Sequence, residues 1–168
     1  MKVVCRILRG QLFPRDDVEM PLEKFEPYAT TIYHHKPRMI KYRSEGVSLL
    51  IFTTLRFRLM GGGTAHESVL HQFLKTLPWQ MRVSGLTLAS MTVTHHLHSL
   101  VNLHKLTLPH FSTELELFPA SKFIHKGKEH VNIFHTGRIV ITGVRDINKM
   151  QHHLLPQITD HLKHAFYT

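Results

Sequence analysis

Short apolar runs, many alternating with polar residues and rich in β-branched side chains, dominate this chain and predict strands. In the first half we predict strands at Lys2–Phe13, Thr30–Tyr33, Arg38–Arg43, Val47–Thr53 and Arg56–Met60. In the second half we predict strands within Leu86–Leu108 and at Lys122–His125, Val131–Phe134 and Arg138–Thr142. Strands joined in succession by tight turns pair antiparallel, so the pattern indicates an α+β fold with a single antiparallel sheet.

Two longer segments carry apolar residues at helical spacing instead. The first, Thr64–Leu77, opens with Thr64 and Glu67 at the spacing of a capping box. The second, Asp146–Phe166, begins at an aspartate cap and contains Pro156, which should kink it. Short helices are predicted at Pro21–Ala29 and Phe111–Leu117. Two long helices cannot cover both faces of such a sheet, so one face must stay open or meet a partner.

The chain contains one pattern twice. Val47–Gly61 and His130–Gly143 both read as a strand, a tight turn, a second strand and a glycine, and each precedes a predicted long helix. Phe52 and Phe134 occupy matching places, as do the two glycines. A unit of roughly eighty residues is too long for a solenoid repeat. We therefore expect one domain, residues 1–168, built from two similar halves (about 1–84 and 85–168) around a shared sheet.

The charge balance favours an acidic partner. The formal net charge of +9 suits nucleic acid, although ribosomal and membrane-surface proteins share such a charge. The single Cys5 excludes an intramolecular disulfide and a cysteine-rich zinc site, and it favours a reducing compartment. No apolar run is long enough to span a bilayer, and Arg6 interrupts the run that a signal peptide would need. We expect an intracellular protein with no membrane partner.

Patterns of catalytic or metal-binding residues are weak. His66-Glu67 resembles a zincin motif only superficially, because His71 lies outside the spacing that would keep both histidines on one helix face. The run Gly61-Gly62-Gly63 lacks the Gly-Lys-Ser/Thr sequence that a phosphate-binding loop requires. No carboxylate pair or Ser/His/Asp pattern emerges from the spacing. We expect no metal, no cofactor and no enzymatic activity.

Two motifs of the second half, at Phe111–Ala120 and Ile133–Gly143, resemble those of the TATA-box-binding protein family. That family has F-S-S-Y-E-P-E-L-F-P-G before a strand, and this chain has F-S-T-E-L-E-L-F-P-A at Phe111–Ala120. The family then has I-F-x-S-G-K-x-V-x-T-G, and this chain has I-F-H-T-G-R-I-V-I-T-G at Ile133–Gly143. A proline in the family's final helix matches Pro156. The first half is similar more weakly, through Ile51-Phe52 and Met60-Gly61.

The resemblance implies a saddle, in which a curved antiparallel sheet covers DNA with its concave side and carries two long helices on its convex side. In that family, four phenylalanines wedge into the ends of a bent site. Phe118 and Phe134 match one pair of wedges, and Phe52 and Tyr28 match the other. Apolar wedges unstack a base step without needing hydrogen-bond partners, which suits a minor groove with little sequence code. The alternative for each ring is an ordinary place in the core.

Polar positions complete the DNA contacts that the resemblance implies. Arg138 falls at the family's turn lysine, Arg56 lies at the equivalent turn of the first half, and Thr142 matches a groove-contacting threonine. The remaining candidates for groove or phosphate contact are Arg38, Lys41, Arg43, Met60, Ser90 and Lys122. Arginine and lysine at strand ends can reach phosphates, and the alternative is a solvated basic rim.

The chain also departs from the family. The family reads central base edges with an asparagine in the first strand of each repeat, where this chain has Ser90 and either Cys5 or Arg6. Met60 replaces a threonine, and Arg58 helps to make its strand unusually charged. The resemblance therefore does not carry a strict TATA preference over to this chain.

An acidic segment points to a protein partner. Glu114, Glu116 and Leu117 reproduce the E-x-E-L-F-P segment with which the family docks transcription factor IIB. The resemblance thus implies a transcription-initiation factor, a monomer or weak dimer, that binds and bends A·T-rich duplex DNA through the minor groove. It would act in the nucleus, or in a host nucleus if the chain is viral. The rival is a module of the same fold that binds basal transcription factors, as adaptor or decoy, without bending DNA.

Overall fold

The computed structural model describes residues 1–16, 18–106, 109–126 and 128–167. Its strands are β1 (Lys2–Pro14), β2 (Thr31–Tyr33), β3 (Met39–Ser44), β4 (Val47–Phe52), β5 (Arg56–Gly61), β6 (Met81–His96), β7 (Ser112–Thr113), β8 (Ala120–His125), β9 (Glu129–Phe134) and β10 (Arg138–Val144). They form one sheet in the order β2-β3-β4-β5-β1-β6-β10-β9-β8-β7. Every pair whose register is described is antiparallel, so the predicted single antiparallel sheet is confirmed.

The chain divides into two compact units. The first unit is Cys5–Ala89, and the second comprises Met1–Val4 and Ser90–Thr168. The first unit contains a 3₁₀ helix, Leu22–Tyr28, and the helix α1, His66–Thr76. The second contains a 3₁₀ turn at Leu103–Lys105 and a final helix in three parts, which are α2 (Ile147–Lys149), a π-helical turn (Met150–Leu154) and α3 (Leu155–Leu162).

The first unit has its core on one side of its strands. Burial alternates along β4 and β5, as expected for strands with one side packed and the other side wet. The buried side chains join those of α1 in one cluster, whose central members are Leu49, Ile51, Phe57, Leu59, Val69, Leu70 and Phe73. The alternate positions of the same strands, including Phe52 and Arg58, are half-buried or exposed. We call this side the open side of the first unit.

The second unit also has its core on one side of its strands. The buried side of its strands packs against the final helix, in a cluster that includes Val93, Val131, Ile133, Ile139, Ile141, Met150, Leu154, Ile158 and Leu162. The alternate positions, such as Asn132, Phe134 and Val140, are half-buried. They define the open side of the second unit. Each unit thus uses one sheet face for its core and leaves the other face partly exposed.

The turns that join β4 to β5 and β9 to β10 have the same construction. The carbonyl of Phe52 accepts a hydrogen bond from the Leu55 amide at 2.8 Å, and the carbonyl of Phe134 accepts one from the Gly137 amide at 2.9 Å. Leu55 and Gly137 both have positive φ, at 59° and 81°. The glycine is required in the second turn, because a Cβ on Gly137 would lie 2.2 Å from the carbonyl oxygen of Ser99.

Replacing Gly137 by alanine should destabilise the second unit strongly. The substitution combines a left-handed backbone with a collision against a backbone carbonyl, so we expect a loss of about 3 kcal/mol in the free energy of unfolding. Gly46→Ala is the matched control, since Gly46 has φ of 73° but nothing lies within 4 Å of its added Cβ. Its loss should be limited to about 1 kcal/mol of backbone strain. Denaturant unfolding of both variants measures the difference, and equal losses would contradict this role of Ser99.

Two predicted elements begin or end elsewhere. α1 begins at His66 behind Ala65, with no side-chain cap, so the predicted capping box at Thr64 is wrong. Tertiary bonds hold this end instead. The Arg6 side chain donates to the Gly63 carbonyl at 2.8 Å, and a ring nitrogen of His66 lies 3.1 Å from the Arg6 carbonyl oxygen. Strand β6 ends at His96, well before the end of the predicted Leu86–Leu108 segment, whose residues 107 and 108 lie outside the described residues.

The predicted short helix at Phe111–Leu117 is also wrong. The chain there forms the two-residue strand β7 and then a turn, in which the Glu114 carbonyl accepts hydrogen bonds from the amides of Leu117 and Phe118. Thr113 explains the extended backbone, because its hydroxyl donates to the Leu106 carbonyl at 3.2 Å and lies 2.5 Å from the Ser121 hydroxyl. Side-chain bonds to neighbouring segments therefore override the local helical preference.

The final helix shows how the chain accommodates Pro156. Asp146 caps it as predicted, with Oδ1 accepting from the Lys149 amide at 3.1 Å. The expected disturbance takes the form of the π-helical turn Met150–Leu154, directly before the segment that contains Pro156. Proline has no amide hydrogen to donate, and a wider turn is one way for a helix to continue past it. Across the described ranges, no helix combines the length and the apolar character that a membrane crossing requires.

Candidate nucleic-acid interface

Phe118 and Phe134 lie side by side on the open side of the second unit. Their ring centroids are 6.1 Å apart, with the ring planes inclined by 58°. Phe134 ends β9 opposite Ala120, and Phe118 leaves the Glu114 turn two residues before that alanine. Both rings are half-buried, although most large apolar side chains of this unit are fully buried. The pair is therefore an aromatic surface feature built by the end of β9 and the segment that leads into β8.

A row of four side chains, three of them polar, crosses the strands of the second unit. Lys122 is opposite Asn132, Asn132 is opposite Val140, and Val140 is opposite Thr94. Residues directly opposite each other share a sheet face, so this row belongs to the open side. The ammonium of Lys122 lies 4.9 Å from the centroid of Phe118, within range of a cation–π interaction. The row thus puts a cation, an amide and a hydroxyl on the side of the sheet that carries Phe134, with the cation in contact with Phe118.

The other candidates of the second unit fall on the same side. Thr142 lies two residues after Val140 on β10, so it faces the same side, and it is opposite His130. Ser90 alternates with buried Met91 and Val93 along β6, which puts it on the open side. Arg138 is exposed at the start of β10, opposite His96. The fold therefore brings these predicted residues onto one surface.

The surroundings of Arg138 are cationic. A shallow pocket there is lined by Met1, Lys2, Thr94, His95, His96, His98 and Arg138, with no carboxylate among them. Burial lowers the pKa of His95, and the positive charges of the N-terminus, His98 and His96 lower it further. Such a site repels cations and favours anions. Within the described ranges, no three histidine, cysteine or acidic side chains are gathered closely enough to hold a metal ion.

The open side of the first unit is more basic. Arg56 and Arg58 project from β5, and Lys41 and Arg43 project from β3 on the same side, since Lys41 is opposite Leu50 and Leu50 is opposite Arg58. Phe52 and Met60 lie half-buried among them. The guanidinium of Arg58 lies 6.0 Å from the centroid of the Phe52 ring. Phe52 is therefore flanked by a cation.

Two predicted site residues take other roles. Tyr28 packs edge-on against Trp79, with ring centroids 5.8 Å apart, at the margin of the first unit's core. Arg38 lies just before β3 and pairs with Glu23 at 2.5 Å and Glu26 at 2.9 Å. The hydrogen bond to Glu26 is the largest cause of the raised pKa of Arg38. The core contact and the ion pairs tie both side chains to the 3₁₀ helix and its neighbours, so we leave them out of the interface.

The acidic segment forms an exposed turn. Glu114 and Glu116 are exposed, and Leu117 is 81% exposed, the highest value among the large apolar side chains that are described. The backbone of this turn is fixed, because the Glu114 carbonyl accepts two amide hydrogen bonds. An exposed apolar side chain that follows two exposed glutamates is a feature that a protein partner can bind.

Sequence reasoning missed three residues that the sheet places on these surfaces. Asn132 lies in the row described above, and its side chain has no hydrogen-bond partner among the described residues. Arg9 lies opposite Arg58, and Gln11 lies opposite Arg56. The alternation of β1 could have shown that Arg9 and Gln11 share a face. The pairing of β1 with β5, which brings Arg9 to Arg58, joins segments far apart in the chain and cannot be read from either segment alone.

Comparison with known proteins gives a structural match. The sequence matches no protein-family model and no curated protein. Among solved structures it is similar to Methanococcus jannaschii TBP, with a TM-score of 0.75, 22% sequence identity and 98% of each chain covered. The chain therefore has the TBP-like fold that its sequence motifs predicted.

Proposed function

We propose that this chain, whose fold is that of TBP, is a DNA-binding protein of transcription initiation that binds duplex DNA through the open sides of its two units. The observation that carries the proposal is the half-buried pair Phe118 and Phe134, with the ammonium of Lys122 4.9 Å from the Phe118 ring. A bare aromatic pair is unfavourable in water, and a partner that covers it removes that cost. Stacked bases of DNA offer the apolar cover, and the phosphates of its backbone carry the negative charge.

The mode of binding that we propose is through the minor groove, with bending. A sheet face bearing apolar wedges unstacks a base step and widens a groove that offers few hydrogen-bonding differences. Phe118 and Phe134 are the proposed wedges, and Asn132 and Thr142 are proposed to contact base edges beside them. Arg56, Arg138 and Lys122 are proposed to neutralise phosphates. In this function the chain shapes DNA and catalyses no reaction.

The proposal treats the two units as copies of one structural repeat. The matching turns after Phe52 and Phe134 support this interpretation. Within these turns, the Arg56 amide donates to the Thr54 hydroxyl and the Arg138 amide donates to the Thr136 hydroxyl, both at 3.4 Å. The nucleus, or a host nucleus for a viral protein, is the compartment in which such a factor would act.

Equilibrium binding to short duplexes tests the function. Fluorescence anisotropy should give tighter binding to A·T-rich than to G·C-rich DNA, with affinity falling steeply as salt rises, because bound arginine and lysine release counterions from the phosphates. A competing single strand of the same sequence serves as the control. Equal affinity for both duplexes and for the single strand would contradict recognition of a duplex groove.

A second function rests on the acidic turn. The exposed Leu117, which follows Glu114 and Glu116, favours a protein-interaction role, in which the chain binds basal transcription factors such as transcription factor IIB as an adaptor or decoy. The chain could have this protein-binding role whether or not it also binds DNA. It is the account that would remain if the chain proved unable to bend DNA.

Reversing the charges of Glu114 and Glu116 to lysine should abolish binding to a factor of the transcription factor IIB type. The side chains are exposed, so the folded state should keep its stability within about 0.5 kcal/mol. DNA affinity should fall by no more than twofold, or rise slightly from the added positive charge. Pull-down with the purified factor and anisotropy with DNA measure the two effects. Loss of DNA binding with partner binding intact would contradict the assignment of this turn.

A further inference from the structure

Two arginines of the first unit face each other across neighbouring strands. Arg9 of β1 is the direct partner of Arg58 of β5, and the next pair on the same side is Gln11 with Arg56. Arg9, Arg56 and Arg58 line a shallow pocket of about 650 Å³, whose lining also includes Phe52, Ser84 and Gly85. No carboxylate lines this pocket. The pair is therefore a concentrated positive charge in the middle of two strands.

This arrangement has a cost in the isolated protein. Like charges directly opposite each other on a sheet destabilise it, whereas opposite charges would stabilise it. Arg9 and Arg58 have no ion-pair partner among the described residues, in contrast to Arg38 and Lys163, which do. The guanidinium of Arg58 lies 6.0 Å from the centroid of the Phe52 ring. An anion bound between the two guanidinium groups would remove the repulsion.

The second unit shows that the fold does not require these charges. The first strand pair after the turn is Arg56 with Gln11 in the first unit and Arg138 with His96 in the second unit. The next pair is Val140 with Thr94, where the first unit has Arg58 with Arg9. The second unit thus fills the same register with a valine and a threonine. The arginine pair occurs in the first unit and has no counterpart in the second. The threonine and valine of the second unit therefore show which substitutions can replace the two arginines.

We propose that the Arg9–Arg58 pair holds the narrow minor groove of an A-tract, so that the first unit grips DNA electrostatically while the second unit unstacks it. This inference rests on the proposed binding of duplex DNA. Narrow A-tract grooves have an enhanced negative potential that attracts arginine side chains. Arg9 and Arg58 lie in mid-strand, where a groove would meet the sheet, and Arg56 lies at the strand end, where phosphates are reached. Arg58 beside Phe52 also leaves that ring less free to act as a wedge.

The test replaces the arginine pair by the pair of the second unit, as Arg9→Thr with Arg58→Val. The probes are duplexes with an A-tract, with alternating T-A steps and with G·C pairs. We expect wild type to prefer the A-tract duplex, and the variant to lose about tenfold or more in affinity for it, as for other groove-inserted arginines. The preference over alternating T-A should disappear, and the salt slope should shrink by about two. The melting temperature of the free variant should be equal or higher, because the repulsion is gone.

The control variant Lys24→Ala with Lys75→Ala removes the same charge from the 3₁₀ helix and α1, and it should keep the A-tract preference. If wild type binds no duplex, the proposed function itself fails. If wild type binds but the arginine variant keeps its A-tract preference and salt slope, the inference is wrong and the function stands. An equal loss on all three duplexes would show a plain phosphate contact and would also overturn it.

Discussion

Replacing both Phe118 and Phe134 by alanine should remove most of the DNA bend while the protein stays folded. The two rings are adjacent and half-exposed, so they are available to enter a base step and contribute little to the core. Without them the step stays stacked, and the duplex should remain close to straight in a fluorescence energy-transfer assay with labelled ends. The free energy of unfolding should fall by about 1 kcal/mol, the size of a lost aromatic pair.

Phe111→Ala is the control for this experiment. Phe111 is only 4% exposed and belongs to the core of the same unit, so its loss should cost about 3 kcal/mol or more. It should leave the bend unchanged in the fraction that remains folded. If the Phe118/Phe134 variant unfolds like the Phe111 variant, the pair is part of the core. The account without bending would then be the better one.

Replacing Arg56 and Arg138 by alanine should weaken binding to every duplex alike. Each arginine is exposed as the first residue after its turn, at a strand end from which a side chain can reach a phosphate. Each lost phosphate contact removes about one unit from the dependence of log affinity on log salt, so the double variant should lose about two units. Titrations at several salt concentrations, on A·T-rich and G·C-rich duplexes, measure both effects.

Arg38→Ala separates this role from a general loss of charge. Arg38 already pairs with Glu23 and Glu26, so it is not available to phosphates, and its loss should leave the salt slope unchanged. A change of slope on removing Arg38, or a loss confined to one duplex on removing Arg56 and Arg138, would contradict these assignments.

Most of the sheet could be predicted from the sequence because its signals are local. Alternation of apolar residues predicted β4 and β5 to within one residue and β9 and β10 to within two, and the motif around Phe134 identified the fold. The predictions that were wrong depend on distant groups. Thr64 is not a cap because Arg6 holds that end of α1, and the segment after Phe111 is extended because Thr113 bonds to Leu106 and Ser121.

The candidate site shows the same division. Phe118 lies just before β8 and Phe134 ends β9, and these two strands are neighbours in the sheet. The sequence pattern predicts both strands, so it also predicts that the two rings are adjacent. The position of Tyr28 against Trp79 and the pairing of Arg9 with Arg58 join segments separated by about fifty residues of chain, and such long-range pairing is set by the whole core. Local patterns therefore found the aromatic pair and missed the arginine pair.

The central claim is that this chain binds duplex DNA through the minor groove, and inosine substitution tests it most directly. An inosine–cytosine pair resembles A·T in the minor groove, since it lacks the amino group of guanine, but it keeps the major-groove pattern of G·C. The account predicts that a duplex with I·C pairs binds nearly as tightly as the A·T duplex, and that the G·C duplex binds more weakly. An I·C duplex that binds as weakly as G·C would show that the preference is read elsewhere, and it would contradict minor-groove binding.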